Sequence, residues 1–319
     1  MGRPPASRAR LGAQNQSETA ITFSGRLTVE PLGRLLEQAS PAMIWEMGGK
    51  AVIFLHIPKT AGTTLNRIIE WQYNPLAIFT MDPYRIRATP ERLQKLSERR
   101  RRSLRMVRGH LYYGIHEFLP QGATYFTMLR EPVARFFSSY YFIQRRPLHP
   151  MHRKVTTERI GVEDFIRLTP RRHNLQSSLI AGIRNNGKCD DRILDKAKEN
   201  LAKSFSVVGI SERFEESLML MAKTFDWEIS FYENRKVSKT RPQIDPRAVE
   251  MIRDHNRLDL ELYEFGKGLF EEGLQKKEAA VREGLAALRT LPKPGSVEGF
   301  CSSTLGAGRF LVNKIASAV

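Results

Sequence analysis

The sequence predicts an α/β fold with a P-loop-like core, a mainly parallel central sheet with flanking helices. Short apolar runs at 51–55, 104–109, 123–129 and 206–210 alternate with segments of helical spacing, the pattern of a parallel sheet crossed by helices. The first run leads through a loop of small residues straight into a helix start. Such a turn aims backbone N–H groups and a positive helix end at one spot, where phosphate oxygens bind well. At 319 residues, 41% hydrophobic, the chain suits one large domain.

Taken in order, residues 1–40 are rich in Arg, Ala, Gly, Ser and Gln and read as a flexible basic arm, with a short helix near 32–38. Residues 41–290 form the domain and 291–319 a tail. The strand at 51–55 feeds a helix that runs to about Tyr73. Thr89 and Pro90 make a cap and first-turn pair for a helix through Arg102, which ends in the run Arg99-Arg100-Arg101-Arg102. The strand at 104–109 stops at His110. The strand at 123–129 breaks at Arg130-Glu131-Pro132, and 133–143 is aromatic-rich with helical spacing. Three helices fill 157–204, then come a strand at 206–210 and an amphipathic helix at 212–225. A basic loop at 234–241 precedes Asp245-Pro246, a second cap-plus-proline start. Leu258, Leu262, Phe265 and Leu269 form a buried stripe on the helix beyond, and 274–290 extends as a charged helix. There is no internal repeat.

The charge balance is the unusual part of the composition. Fifty-one Lys and Arg against 34 Asp and Glu give +17. That excess implies a polyanionic partner (nucleic acid, an acidic membrane surface, an acidic polysaccharide or a polyphosphorylated cofactor) or a solvated basic surface. Cys189 and Cys301 lie far apart with no C-x-x-C, so unpaired thiols are expected rather than a disulfide. No run approaches the ~18 apolar residues of a membrane span, and the N-terminus lacks an apolar signal core. Met1-Gly2 is followed at position 6 by Ala6, not the hydroxyl residue of a myristoylation signal. The expected location is the cytoplasm.

The phosphate loop reads His56-Ile57-Pro58-Lys59-Thr60-Ala61-Gly62-Thr63-Thr64. Lys59 supplies a point charge, and the hydroxyls of Thr60, Thr63 and Thr64 supply further donors beside the backbone of Ala61 and Gly62. It is not a Walker A loop, in which lysine stands directly before the last hydroxyl residue. A second segment, Leu129-Arg130-Glu131-Pro132-Val133-Ala134-Arg135-Phe136-Phe137-Ser138-Ser139-Tyr140, ends a strand at Arg130 and opens a helix at Pro132. Ser138 lies two turns along, so a guanidinium and a hydroxyl converge on one anion.

These two segments, in this order, resemble the 5′-phosphosulfate loop and the 3′-phosphate motif of sulfotransferases that use 3′-phosphoadenylyl sulfate (PAPS). The His-Ile-Pro lead-in is most similar to the carbohydrate branch that includes the hexuronyl 2-O-sulfotransferases. The resemblance spans roughly residues 50–272. It implies that Arg130 and Ser138 hold the 3′-phosphate, that Lys59 stabilises charge on the bridging oxygen, and that the product is adenosine 3′,5′-bisphosphate. The segment Arg108-Gly109-His110-Leu111-Tyr112-Tyr113 resembles the His-Gly-His-x-x-Tyr segment of the hexuronyl branch, which implies that His110 is the base. The first histidine of that pair is Arg108 here, a departure that bears on the acceptor. His56 reads as structural.

The loop Arg235-Lys236-Val237-Ser238-Lys239-Thr240-Arg241 resembles the basic loop that closes over the nucleotide, with Ser238, Lys239 and Arg241 as contacts. Val208-Gly209-Ile210-Ser211-Glu212-Arg213-Phe214 matches a recurrent segment with a structural role. No metal is expected, since paired carboxylates are absent near either motif. The acceptor is a hydroxyl compound, a glycan on the resemblance; the Arg99 to Arg102 run either guides an acidic acceptor or is a solvated helix end. The sequence leaves the oligomeric state open. The rival readings are a kinase-like phosphate-loop enzyme, a degenerate member that binds nucleotide without catalysis, and a basic nucleic-acid-binding protein. No recognised nucleic-acid motif is present, and no nucleic-acid partner is expected.

Overall fold

In the computed structural model, which describes residues 49–81, 89–184, 190–229 and 245–290, five parallel strands form one sheet in the order β2-β3-β1-β4-β5. They are β1 (Ala51–Leu55), β2 (Ile78–Thr80), β3 (Met106–Gly109), β4 (Ala123–Leu129) and β5 (Phe205–Ile210). The central β1 is covered on both faces, which is why it reads as a continuous apolar run rather than an alternation. It pairs with β3 through Val52↔Met106 to Leu55↔Gly109 and with β4 through Ala51↔Ala123 to Leu55↔Thr127. The chain leaves β1 for the far edge at β2, returns to β3, and then crosses to β4. The strand order therefore reverses at β1, and the loop after it opens at the switch point where α/β sheets bind their ligands.

The helices are α1 (Gly62–Gln72), α2 (Thr89–Lys95), α3 (Glu98–Arg102), α4 (Pro132–Gln144), α5 (His152–Thr156), α6 (Val162–Leu168), α7 (Leu175–Ala181), α8 (Asp191–Ser204), α9 (Phe214–Phe225), α10 (Pro246–His255), α11 (Arg257–Lys276) and α12 (Glu278–Thr290). The strand at 123–129 falls where the sequence puts it, and those at 104–109 and 206–210 shift by one or two residues. The three helices of 157–204 are α6, α7 and α8; α5 precedes them. Asp245 caps α10 as expected, accepting from Arg247 N at 2.9 Å.

Three expectations need correction. The single helix through Arg102 is two, because Ser97 starts a new one by accepting from Arg100 N at 3.2 Å. β2 was not anticipated; three residues are too few to show a period. The buried stripe of α11 is Leu258, Leu262, Gly266 and Phe270, with Tyr263 beside it, while Phe265 and Leu269 are only half-buried. The arm, the tail, the loop at 234–241 and both cysteines lie outside the described residues. Among the described residues no helix is long and apolar enough to cross a membrane.

The main core lies around the sheet. A second apolar cluster sits on α4, where Phe136, Phe137, Tyr140 and Ile143 meet Val155, Phe165, Ile166 and Ile252. Between them Arg135 is fully buried. It donates to Arg172 O at 3.0 Å and faces Asp259 at 3.5 Å, and Asp259 accepts from Gln176 N, Ser177 N and the Ser177 hydroxyl. This network fixes α4, α7 and α11 relative to one another and so sets where α4 meets the phosphate loop.

Candidate active site

The loop between β1 and α1 carries two non-glycine residues in the left-handed region, Lys59 at φ 75° and Ala61 at φ 62°. Such conformations cost of the order of 1–3 kcal/mol each and persist where the surroundings enforce them. Alternating left- and right-handed residues turn successive N–H groups inward as an anion-binding concavity. Ala61 is the N-cap of α1 and offers no side-chain acceptor to the first turn, which holds no acidic residue. Thr60 is buried with its hydroxyl donated to Ile57 O at 2.9 Å, so it braces the loop through its side chain. Thr64 N donates to Ala61 O at 3.1 Å and its side chain is mostly buried, whereas Thr63 is exposed. Gly62 is required: a Cβ there would lie 1.8 Å from His56 Nε2.

The second motif meets the first directly. Arg130 Nη1 donates to Lys59 O at 3.0 Å. The backbone of Arg130 is held in turn by Gln176, which accepts from Arg130 N at 3.0 Å and donates to Arg130 O at 2.9 Å. Glu212 accepts from Glu131 N at 3.1 Å, lies 3.9 Å from Arg130 Nε, and accepts from the Tyr263 hydroxyl at 3.3 Å. Glu131 caps α4, accepting from Val133 N and Ala134 N. Lys59 Nζ lies 3.9 Å above the Phe142 ring, one helical turn beyond Ser138. Phe142 shares the α4 face that carries Ser138, so that face is turned toward the loop, where Arg130 meets Lys59.

His110 follows β3 beside the loop. Its Nδ1 donates to His56 O at 2.8 Å, which leaves Nε2 as the lone-pair nitrogen. The two imidazoles lie 4.3 Å apart, and the His56 ring stacks on Phe54 at 5.2 Å. Burial pushes the His110 pKa down from 6.5; the bond to His56 opposes this and the Lys59 charge adds to it. A neutral imidazole at neutral pH, with a fixed tautomer, suits a general base.

Several roles differ from the sequence reading or were missed by it. Arg108, which stands where the hexuronyl segment has its first histidine, is buried. Its guanidinium bonds Glu70 at 2.6 Å, Asn66 O at 2.7 Å and the Thr80 hydroxyl at 3.1 Å, tying β3 to α1 and β2. The Arg99 to Arg102 run lies at the opposite, amino-terminal edge of the sheet, where Arg101 donates to Phe118 O and Arg102 pairs with Glu98. It forms a helix end, not an approach to the loop. Gln176 and Phe142 had no sequence signal, because their partners are distant in the chain. Glu212 had one, in its matched segment, and its position beneath Arg130 gives that segment a supporting role. Ser238, Lys239 and Arg241 lie outside the described residues.

The donor set fits a nucleotide with two separate anionic groups. One set of donors is the loop with Lys59; the other is Arg130, with Ser138 on the α4 face turned toward the loop. No Asp or Glu occurs from Gly49 to Ile69, and the two acids nearest Arg130, Glu131 and Glu212, are engaged in holding backbone.

A conserved-domain model described as galactose-3-O-sulfotransferase matches residues 32–294, and the chain belongs to that family. It is 26% identical to heparan-sulfate 6-O-sulfotransferase 3 of Homo sapiens over 46% of its own length and 38% of that protein's. It is 24% identical to galactose-3-O-sulfotransferase 2 of Mus musculus over 48% of its length and 41% of that protein's. It thus spans less than half the length of these curated relatives. The motifs' assignment to the carbohydrate sulfotransferases stands, drawn no finer than that.

Proposed function

We propose that this protein transfers a sulfuryl group from PAPS to a hydroxyl of a carbohydrate. The observation that carries this reading is the bond from Arg130 to the Lys59 carbonyl, which joins the two anion-binding motifs at one opening beside a neutral histidine. PAPS, when bound, supplies an activated sulfuryl group on a leaving group that is already a stable anion. The loop N–H groups, Lys59 and Thr63 hold the 5′ side. Arg130 and Ser138 hold the 3′-phosphate and discriminate PAPS from nucleotides without one.

His110 Nε2 accepts the proton of the attacking hydroxyl, whose own pKa is far above neutral, a contribution of about 10²–10⁴ in rate. Sulfuryl transfer, like phosphoryl transfer, gains most from positioning and from charge stabilisation, and Lys59 provides the latter beside the breaking bond. The sulfated group of the acceptor, carbohydrate in the relatives' names, is the finer part of this proposal.

The test is calorimetric binding of adenosine 3′,5′-bisphosphate against ADP and ATP. A clear preference for the 3′-phosphorylated nucleotide, lost in Arg130→Ala, is expected. Equal affinity for all three, or preference for ATP, would overturn the reading in favour of a kinase-like enzyme.

A further inference from the structure

We infer that the acceptor is an anionic saccharide, bearing carboxylate or sulfate groups, and that it docks on the rim formed by Arg145, Arg146 and His149 at the end of α4. The inference rests on the sulfotransferase reading and names the acceptor class at that site. From Pro132 to Thr157 the chain holds no Asp or Glu, yet it holds Arg135, Arg145, Arg146, Arg153 and Lys154. Arg135 is buried, but Arg145 and Arg146 are exposed, and neither pairs with a carboxylate among the described residues. Arg153 reaches Glu158 only at 4.0 Å.

This rim adjoins the reaction centre through one ring. Arg146 lies 5.3 Å from the centroid of Phe142, the ring that Lys59 approaches to 3.9 Å. The two cations therefore fall within the ~10 Å Debye length of 0.1 M salt. Lys59 in turn is close enough to His110 to depress its pKa. His149 packs its edge against the same ring at 6.5 Å. Its Nδ1 accepts from Met151 N at 3.1 Å, so Nε2 carries a proton and is a donor. Leu148, fully exposed between these residues, adds an apolar contact for a sugar face.

Arg145 and Arg146 carry like charge with no carboxylate partner among the described residues, and an anion placed beside them relieves their repulsion. A neutral sugar does not. Guanidinium groups also match carboxylate and sulfate oxygens in bidentate geometry. The Arg99 to Arg102 run carries similar charge but lies at the other edge of the sheet, so it serves as an internal control.

The experiment first titrates wild-type protein with adenosine 3′,5′-bisphosphate; failure there removes the parent reading and this one with it. The nucleotide-saturated protein is then titrated with N-acetylheparosan, an unsulfated uronate polymer, with lacto-N-neotetraose, a neutral galactose-terminated sugar, and with duplex DNA. The uronate polymer is expected to bind best. Its affinity should fall about tenfold in the Arg145→Ala/Arg146→Ala variant, and should weaken as salt rises. Nucleotide affinity should hold in that variant, and Arg99→Ala/Arg102→Ala should bind the polymer within about twofold of wild type. Equal or tighter binding of the neutral sugar or of DNA overturns the inference. So does equal loss in both double variants, which would mean net charge alone, or loss of nucleotide affinity in the first, which would assign those arginines to the nucleotide.

Discussion

The base role proposed for His110 rests on a backbone carbonyl. The bond from Nδ1 to His56 O selects the tautomer, and burial beside Lys59 keeps the ring neutral. Because the pKa lies below 6.5, activity should stay level as pH falls from 8 toward 6.5, and the acid limb should have its midpoint below that value. Replacing His110 with Ala should lower kcat by about 10²–10⁴ and leave affinity for adenosine 3′,5′-bisphosphate within about twofold. An acid limb centred above 6.5, or a variant with undiminished turnover, would remove this histidine from the mechanism. The positions of Lys59, His110 and Arg130 around one end of the sheet were legible because each follows a strand end, which local sequence marks. The left-handed backbone at Lys59 and Ala61 and the seat of Lys59 on Phe142 were not. The first needs a loop that the whole site enforces, and the second joins residues 83 apart in sequence.

At the level of elements, β3 and α1 are locked by a charge pair inside the protein. The side chains of Arg108 and Glu70 are only 7% and 8% exposed, and Arg108 also bonds Asn66 O and the Thr80 hydroxyl. Removing one partner strands the other, so Arg108→Met should destabilise by about 3–5 kcal/mol in urea unfolding. Adding Glu70→Leu should recover most of that loss, since two apolar side chains replace a desolvated pair; a double variant no more stable than the single would refute this account. The pair also explains why an arginine can stand where the hexuronyl segment has a histidine: in this chain the position belongs to the core. Strands β1, β3, β4 and β5 were readable because covered strands are apolar throughout and end at breakers such as His56-Ile57-Pro58 and Arg130-Glu131-Pro132. The break at Ser97 was hidden because a serine cap within a polar run leaves no change in hydrophobic period.

For the whole molecule, the same burial that readies the histidines sets its response to acid. His110, His149 and His173 all have pKa values lowered from 6.5, each chiefly by burial, with Arg172 and His152 adding at His149, and His255 and Arg135 at His173. Each therefore binds its proton more readily unfolded than folded. Their effect on stability is absent well above 6.5, grows as pH falls below it, and levels off below the folded pKa values. Glu216, held below the usual carboxylate range by Arg213, loses its contribution only below about 4.5. Asp259 runs the other way: burial raises its pKa, so taking up a proton relieves it. The melting temperature should thus be flat from pH 8 to 7 and begin to fall near 6.5, before carboxylates titrate. Salt separates this from self-repulsion of a chain with +17 net charge. Added NaCl should soften the fall below pH 4.5, where charge accumulates, but leave the fall between 6.5 and 5 in place, because desolvation of a buried imidazole is not screened. His173→Gln, which keeps a polar partner for Ile166 O without a titrating group, should reduce the slope in that upper window; an unchanged slope there would mean that these histidines do not control it.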